Sequence, residues 1–545
     1  MRPSGFRGLY REDDYARAVY SEAAGIGQAL PTAVAVPSDP DDVEALVKWA
    51  ASTRTPLVPR GSGSSMAGGA IGTGVVVDLS RLDQMRAINE ASHTVWVEPG
   101  VLWATLNAAA RKKGLRLPVD PSSGAFCTLG GMVSTNAAGA RSLKYGSTAK
   151  WVQALDCVFS DGERAIITRG EEPPRAVETV RRFLREGHAA IVSSDARRPA
   201  RHKDVRKESS GYRIHAYSEK ADLIELLIGS EGTLAIIVGI QLSLASVAGA
   251  TSSVLGSFAS LENAAAAAQK AAEAGASACE LLDRTFLDYA AMAKGADPKV
   301  LALIAGAEAI LLAEVEAATG SDARNAATAL GAAFKAAGAT GVELALDPQA
   351  EHSLWDLRHA ASPILSTIEN LTSMQFIEDG AVPLARLPEY VKGVRSALEA
   401  RKLPGVIFGH AGDGHVHVNP LIDVHSPQWR EQVQGLLDDV VALTARLGGT
   451  LSGEHGDGAL RAPLLKRVWH KDSLEAFSAL KKTFDPGGIL NPGVKVALPG
   501  QKPLERIKYD PSLPPLPKAA RDALDDVVRR RAYSDFRLSL IGRSS

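Results

Sequence analysis

"PRGSGSSMAGGAIGTG", Pro59 to Gly74, decides how the N-terminal half folds. Its Gly61-x-Gly63 pair invites comparison with a dinucleotide-binding turn. That fingerprint needs a small residue at its third glycine position and a helix after it. Met66 stands there instead, followed by another glycine pair and the strand-like run "GVVVDLS", Gly74 to Ser80. No GK[ST] closes the stretch, so a Walker A loop is excluded as well. Two readings remain. The stretch is a structural glycine turn, or it is a nest of backbone N–H groups for a pyrophosphate, with Arg60 adding charge. A second cluster about sixty residues on favours the nest: "DPSSGAFCTLGGMVSTNAAGARSLKYGS", Asp120 to Ser147. It sets Ser122, Ser123, Thr128, Ser134 and Asn136 between glycines. With "GSEGTLAII", Gly229 to Ile237, three segments can wrap one long cofactor.

The surroundings alternate strands and helices. Asp39 caps a helix that has Pro40 at its first position, and Val43, Leu46, Val47 and Ala50 follow helical spacing. "TPLVPRG" and "HTVWVEPG" read as strands, "LWATLNAAARKKG" as a helix stopped by Gly114, and Asp161-Gly162 as a hairpin turn. Residues 1–30 read as an extension and 31–246 as the first domain. Alanine-rich amphipathic helices then alternate with strands such as "AILLAEVEA", a sheet backed by helices over 247–498. Residues 499–545, with a charged helix around "AARDALDDVVRRRAY", read as a peripheral tail.

Bulk properties exclude several classes. At 545 residues the chain exceeds one usual core. Its formal net charge of −1 gives no argument for nucleic acid. Cys127, Cys157 and Cys279 are isolated, so a disulfide framework and a cysteine-ligated cluster are not expected. Neither a signal-peptide core nor a spanning apolar run is visible. The expectation is a cytoplasmic protein, with peripheral attachment to a membrane left open.

"GHAGDGHVHVNP", Gly409 to Pro420, carries His410, Asp413, His415 and His417, although the whole chain has only 12 histidines. His415 and His417 share one face of an extended strand, and a reversal at Asp413-Gly414 brings His410 within reach of His417. "SGEHGDG" adds Glu454 and His455, which point to opposite sides if extended. Two imidazoles and a carboxylate suit a divalent metal with open positions. The alternative is satisfied polar residues around turns.

These motifs, followed by "FDPGGILNPGVK", stand in an order that resembles the FAD-dependent D-2-hydroxyacid dehydrogenases of the vanillyl-alcohol oxidase/p-cresol methylhydroxylase superfamily. That family includes D-lactate dehydrogenase, the glycolate oxidase D subunit and D-2-hydroxyglutarate dehydrogenase. The resemblance covers about residues 30 to 497. It implies an α+β chain: a two-part FAD-binding domain of the p-cresol methylhydroxylase type, and a substrate domain with an antiparallel sheet. It implies that Arg60, Gly61, Ser62, Gly63, Ser64, Ser65 and Met66 hold the pyrophosphate. Pro118, Ser122, Cys127, Thr128, Gly130, Gly131, Ser134 and Gly139 would line the adenine and flavin side. Gly232 and Ile237 would reach the adenosine part, and Asn491 would return to the flavin. Covalent members place a histidine where this chain has Ser64, so FAD is expected to be non-covalent. The resemblance further implies His410, His417 and Glu454 as ligands of a divalent metal, zinc first, with manganese, iron or cobalt tolerated. His455 would be the catalytic base. Arg358 and Ser362 would hold the substrate carboxylate, with Asn419 as a further substrate contact and His415 either a substrate contact or a support behind the ligands.

Three departures from the family pattern stand out. Relatives that bind a second, distal carboxylate carry a lysine near the place of Ile377. "KESSGYRI" has Glu208 and Ser209 where asparagine is usual. The wording of the histidine motifs is closest to long members that continue into an iron–sulfur domain, whose cysteines are missing here. Electrons from a small 2-hydroxyacid are therefore expected to leave through a separate iron–sulfur subunit, an electron-transfer flavoprotein or a quinone. A homodimer is allowed. The competing expectations are a partner-dependent or non-catalytic flavin subunit, and an oxidase of another alcohol on the same fold.

Overall fold

The computed structural model describes residues 3–197, 202, 204–292, 298–365 and 370–542, with only the backbone described over 194–197 and 359–365. The glycine stretch begins where a small sheet ends. Strands Ala33–Val36, Val75–Asp78 and Leu57–Arg60 run parallel, and Leu9–Arg11 adds an antiparallel edge. The parallel strands are nearly all apolar, as strands covered on both faces must be. One face packs on the helix Pro40–Thr53, whose Asp39 cap accepts from the Asp42 N–H. A second sheet is antiparallel, in the order Thr94–Val97, Ile236–Ser243, Val152–Val158, Arg164–Thr168. The hairpin joining its last two strands turns at Gly162, with φ +80°.

The third sheet carries the histidines. It runs Gly341–Ala345, Ala250–Phe258, Ala309–Ala317, Ala278–Asp283, Gly405–Gly409, His415–Ile422, Thr372–Ser373, antiparallel throughout. Strand alternation splits its side chains between two cores. Val254, Leu311 and Ala313 join the core beneath the alanine-rich helix Leu261–Glu273, while Leu255, Ile310 and Leu312 pack with Phe286, Leu354 and Leu357. Alanine at the helix faces Ala264, Ala265, Ala268 and Ala271 lets helix and sheet approach closely.

The first and last described segments pack together. Ala16, Val19 and Tyr20 share a core with Val34, Val36, Val58, Val76, Ala520 and Ile541. The C-terminal helix Lys518–Arg530 thus packs with the N-terminal segment against the first sheet, which corrects the expectation of a peripheral tail. Its Ala520, Ala523, Leu524 and Val527 form an apolar stripe that the charge-rich sequence masks. None of the described helices is long and apolar enough to cross a membrane.

Candidate active site

One cavity of about 1190 Å³ joins the glycine segments to the histidines. Its wall contains Arg60 to Met66, Ser122, Cys127, Thr128, Gly130, Gly131, Ser134, Gly232 and Ile237. At the other end stand Arg358, His417, Asn419, Glu454 and His455. Three residues expected in the wall lie outside it. Pro118 is buried, and a Cβ on Gly139 would meet the Asp120 carbonyl at 2.3 Å. Asn491 instead ties two cavity segments together: its Nδ2 donates to the carbonyls of Gly69 (2.8 Å) and Glu231 (2.7 Å).

The glycine loop fits a diphosphate by its close packing and an unpartnered hydroxyl. A Cβ on Gly61 would lie 2.2 Å from Thr128 Oγ1, so the loop and the helix Leu129–Thr135 approach as closely as only glycine allows. Ser65 Oγ is buried in the wall without a hydrogen-bond partner among the described residues. Arg60 works differently from expectation. Its guanidinium is buried and donates to the carbonyls of Glu22 (2.9 Å), Ala70 (3.2 Å) and Tyr20 (3.4 Å). It props the loop from behind.

The histidine cluster is assembled from five chain segments. Strands Gly405–Gly409 and His415–Ile422 set Phe408 opposite His417, and Gly414 closes the turn at φ +70°. The reversal brings the rings of His410 and His417 to 5.3 Å between centres. Each ring is oriented by an acceptor on Nδ1. Glu280 accepts from His410 at 2.5 Å, and the Glu378 carbonyl accepts from His417 at 2.7 Å. Both Nε2 atoms then face one oxygen, Glu454 Oε1, at 3.2 and 3.3 Å. The other oxygen of Glu454 accepts from Lys207 Nζ at 3.1 Å. This donor set fits a divalent cation: imidazoles fixed in one tautomer and a single converging carboxylate oxygen.

Glu454 and His455 do not point apart as an extended strand would require. Asp379 accepts from the backbone N–H of both, at 3.2 and 2.9 Å, and curls the loop so that both side chains reach the cavity. His455 stacks on His417, with ring centres 5.3 Å apart and planes 15° apart. Its Nδ1 lies 3.2 Å from Glu378. Of the two roles open to His415, its placement matches the support: it is fully buried, bonds Asp379 through Nε2 at 2.9 Å and is absent from the cavity wall. Arg358 does line the cavity, over the Phe408 ring and with Nε on Glu280 at 2.7 Å. Ser362 lies in the same helix, Pro348–Leu365, where side chains are outside the described residues.

Charge coupling sets the protonation of the cluster. With no cation beside Glu454, burial opposes charge on His410 and His455, but neighbouring carboxylates outweigh it and raise both to about 9: Glu280 for His410, Asp379 and Glu378 for His455. Burial lowers His417, and lowers His415 to about 3. Burial alone would raise Glu454, yet Lys207 and His410 hold it well below the usual carboxylate range. The sequence reading missed Lys207, Glu280, Glu378, Asp379 and Arg461. The acidic pair in "FIEDG" was the one visible signal, four positions after the buried Met374.

Residues 31–168 match the FAD binding domain family, and residues 249–494 match the C-terminal domain of FAD linked oxidases. The chain is 30% identical over 498 residues to the glycolate oxidase subunit GlcD of Bacillus subtilis, covering 90% of this chain and 95% of that one. It is 29% identical to D-lactate dehydrogenase of Anaerostipes hadrus, covering 87% and 91%. It is 30% identical to D-2-hydroxyglutarate dehydrogenase of Pantoea ananatis, covering 92% of this chain but 51% of that longer protein. Among solved structures, 4-ethylphenol oxidase from Gulosibacter chungangensis shares the fold, with a TM-score of 0.64 at 15% identity over 90% and 94% of the two chains. The chain belongs to the FAD-linked oxidases and is an FAD-dependent oxidoreductase with the two-part flavin-binding fold of p-cresol methylhydroxylase.

Proposed function

We propose that the protein oxidises a D-2-hydroxyacid, such as D-lactate, D-2-hydroxyglutarate or glycolate, to the 2-oxoacid. The observation that carries this reading is the convergence of His410 Nε2 and His417 Nε2 on Glu454 Oε1, with His417 and Glu454 in the wall of the cavity that the glycine loops border. Oxidation of the α-carbon must remove a hydroxyl proton and a hydride. Bound FAD supplies the hydride acceptor. His410, His417 and Glu454 would hold a divalent cation, which would supply a Lewis acid that makes the substrate hydroxyl more acidic.

The chain's own residues do the rest. His455, beside Glu454 with Nε2 3.7 Å from Oε1, is placed to take the hydroxyl proton. Arg358 supplies a guanidinium for the substrate carboxylate, and Asn419 an amide on the same wall. Glu280 holds both His410 and Arg358, so metal ligand and carboxylate clamp share one buried support. The names of the relatives at about 30% identity support the substrate class. The cluster itself speaks against an oxidase of a simple alcohol, which has no use for two oriented imidazoles and a carboxylate. The electron acceptor is proposed to be external: an iron–sulfur subunit, an electron-transfer flavoprotein or a quinone.

Anaerobic addition of D-lactate, D-2-hydroxyglutarate or glycolate to the flavoprotein, with and without chelator, tests this. We expect the flavin absorbance near its visible maximum to bleach with at least one acid, and bleaching to stop after chelation. A flavin that no hydroxyacid reduces would point to a subunit that needs its partner, or to another alcohol.

A further inference from the structure

Part of the cavity wall comes from none of the three glycine segments. Lys508, Arg521, Arg529 and Arg531 line it, together with Tyr533, and all five belong to the C-terminal segment. Residues 22–25 connect this segment to the glycine loop. On the loop side, Ala24 N donates to Gly63 O (2.9 Å), Gly25 N to Ser65 O (3.1 Å) and Arg60 Nη2 to Glu22 O (2.9 Å). On the other side, Arg521 donates to the Glu22 carboxylate (2.9 Å), Lys508 Nζ to Ala23 O (3.1 Å) and Lys508 N to Ile26 O (2.9 Å). Tyr533 reaches the second glycine segment, its ring 4.9 Å from that of Phe126. The C-terminal segment is therefore bonded to the back of the loop and touches the next wall.

The charges on this wall do not balance. Four cations face three carboxylates: Arg521 takes up Glu22 and Asp525, and Asp526 meets Arg529, which leaves an excess of positive charge. Arg529 pairs with Asp526, but its side chain keeps 75% of its exposure, and Arg531 is exposed. A positive wall beside a nest of backbone donors suits a dianionic group. We propose that the C-terminal segment is a fourth wall of the FAD site, and that Arg529 and Arg531 contribute charge to binding the cofactor's diphosphate. This rests on the reading that the diphosphate lies on Gly61 to Met66.

The full-length apoprotein is titrated with FAD at low and high salt, following quenching of flavin fluorescence. Exposed charges are each worth about two- to fivefold in affinity and are screened by salt. The double variant R529A/R531A should therefore bind FAD about tenfold more weakly at low salt, with a flatter salt dependence. R529K/R531K should restore both, and thermal melting of the apoproteins should coincide. An unchanged affinity and salt slope in R529A/R531A would overturn the proposal. So would a loss that R529K/R531K does not restore, because charge would then not be the cause. Gly61→Val tests the underlying reading separately: if it leaves FAD affinity intact, the diphosphate does not lie on the loop, whatever the arginines do.

Discussion

The glycine loop and the histidine cluster border one cavity but are built by opposite means. The loop offers backbone donors, and its side chains matter mostly by their absence, as at Gly61 against Thr128. The cluster offers side chains only, and each needs a partner from elsewhere in the chain: Glu280 for His410, the Glu378 carbonyl for His417, Lys207 for Glu454 and Asp379 for the backbone beneath His455. A backbone site survives exchange of most of its side chains. A site of coupled charges does not, because removing one partner leaves another buried and unpaired. Substitutions in the two regions should therefore fail differently.

The largest separation is expected from the metal ligands. Chelation, or Glu454→Ala, should slow flavin reduction by on the order of a thousandfold or more, since a Lewis acid contributes several kcal/mol to such a step. Flavin content should stay the same, because Glu454 is held by the histidines and Lys207 and not by the glycine loop. Absorbance spectroscopy and stopped-flow reduction read the two effects apart. Flavin lost together with activity would erase the contrast between the regions. Next is His455→Ala. A positioned base is worth about 10²- to 10⁴-fold. Reduction should slow by that factor while bound metal, measured by elemental analysis, is retained. Turnover at the wild-type rate would move the base elsewhere.

The converse comes from the loop. In Gly61→Ala the added Cβ sits 2.2 Å from Thr128 Oγ1, which caps the helix Leu129–Thr135 by accepting from the Gly131 N–H. Strain and a weakened cap together cost about 1–3 kcal/mol. FAD affinity should fall roughly ten- to a hundredfold, with the bound metal unchanged. Equilibrium titration of the apoprotein measures it, and metal lost in parallel would show that the two regions are coupled.

How much of this was readable beforehand follows the same divide. Asp39-Pro40, the Asp161-Gly162 hairpin and the glycine stretches are local signals, and each element forms where its own residues place it. His410 and His417 could be paired because a turn of known geometry joins them. What escaped depends on distant packing. Glu280 lies 130 positions before His410, and nothing in "ACELLD" marks a support for an imidazole. Asp379 curls the loop at Glu454 from 75 positions away, which is why Glu454 and His455 share a side. The charged C-terminal helix looked solvated because two of its four buried residues are alanine, and what they pack against, the N-terminal segment and the first sheet, lies far away in the chain.

The smallest effect concerns proton affinity, and its sign can be worked out. Burial disfavours the imidazolium of His455, but Asp379 and Glu378 reverse that and raise it to about 9. A base must be neutral to act, so the rate falls as pH drops through its pKa. Glu378→Gln removes one of the two carboxylates and keeps the shape, so the pKa of His455 must fall. The acid limb of kcat/KM should move to lower pH by about one unit, and the variant should outperform the wild type on the acid side while matching it at high pH. Glu378 also pairs with Arg461, whose guanidinium keeps Asp379 at 3.5 Å, so the fold retains one ion pair there. Glycine-loop variants should leave this limb where it is, because a nest of backbone donors carries no proton to lose. A limb that moves upward in Glu378→Gln would mean that the titrating group is not His455.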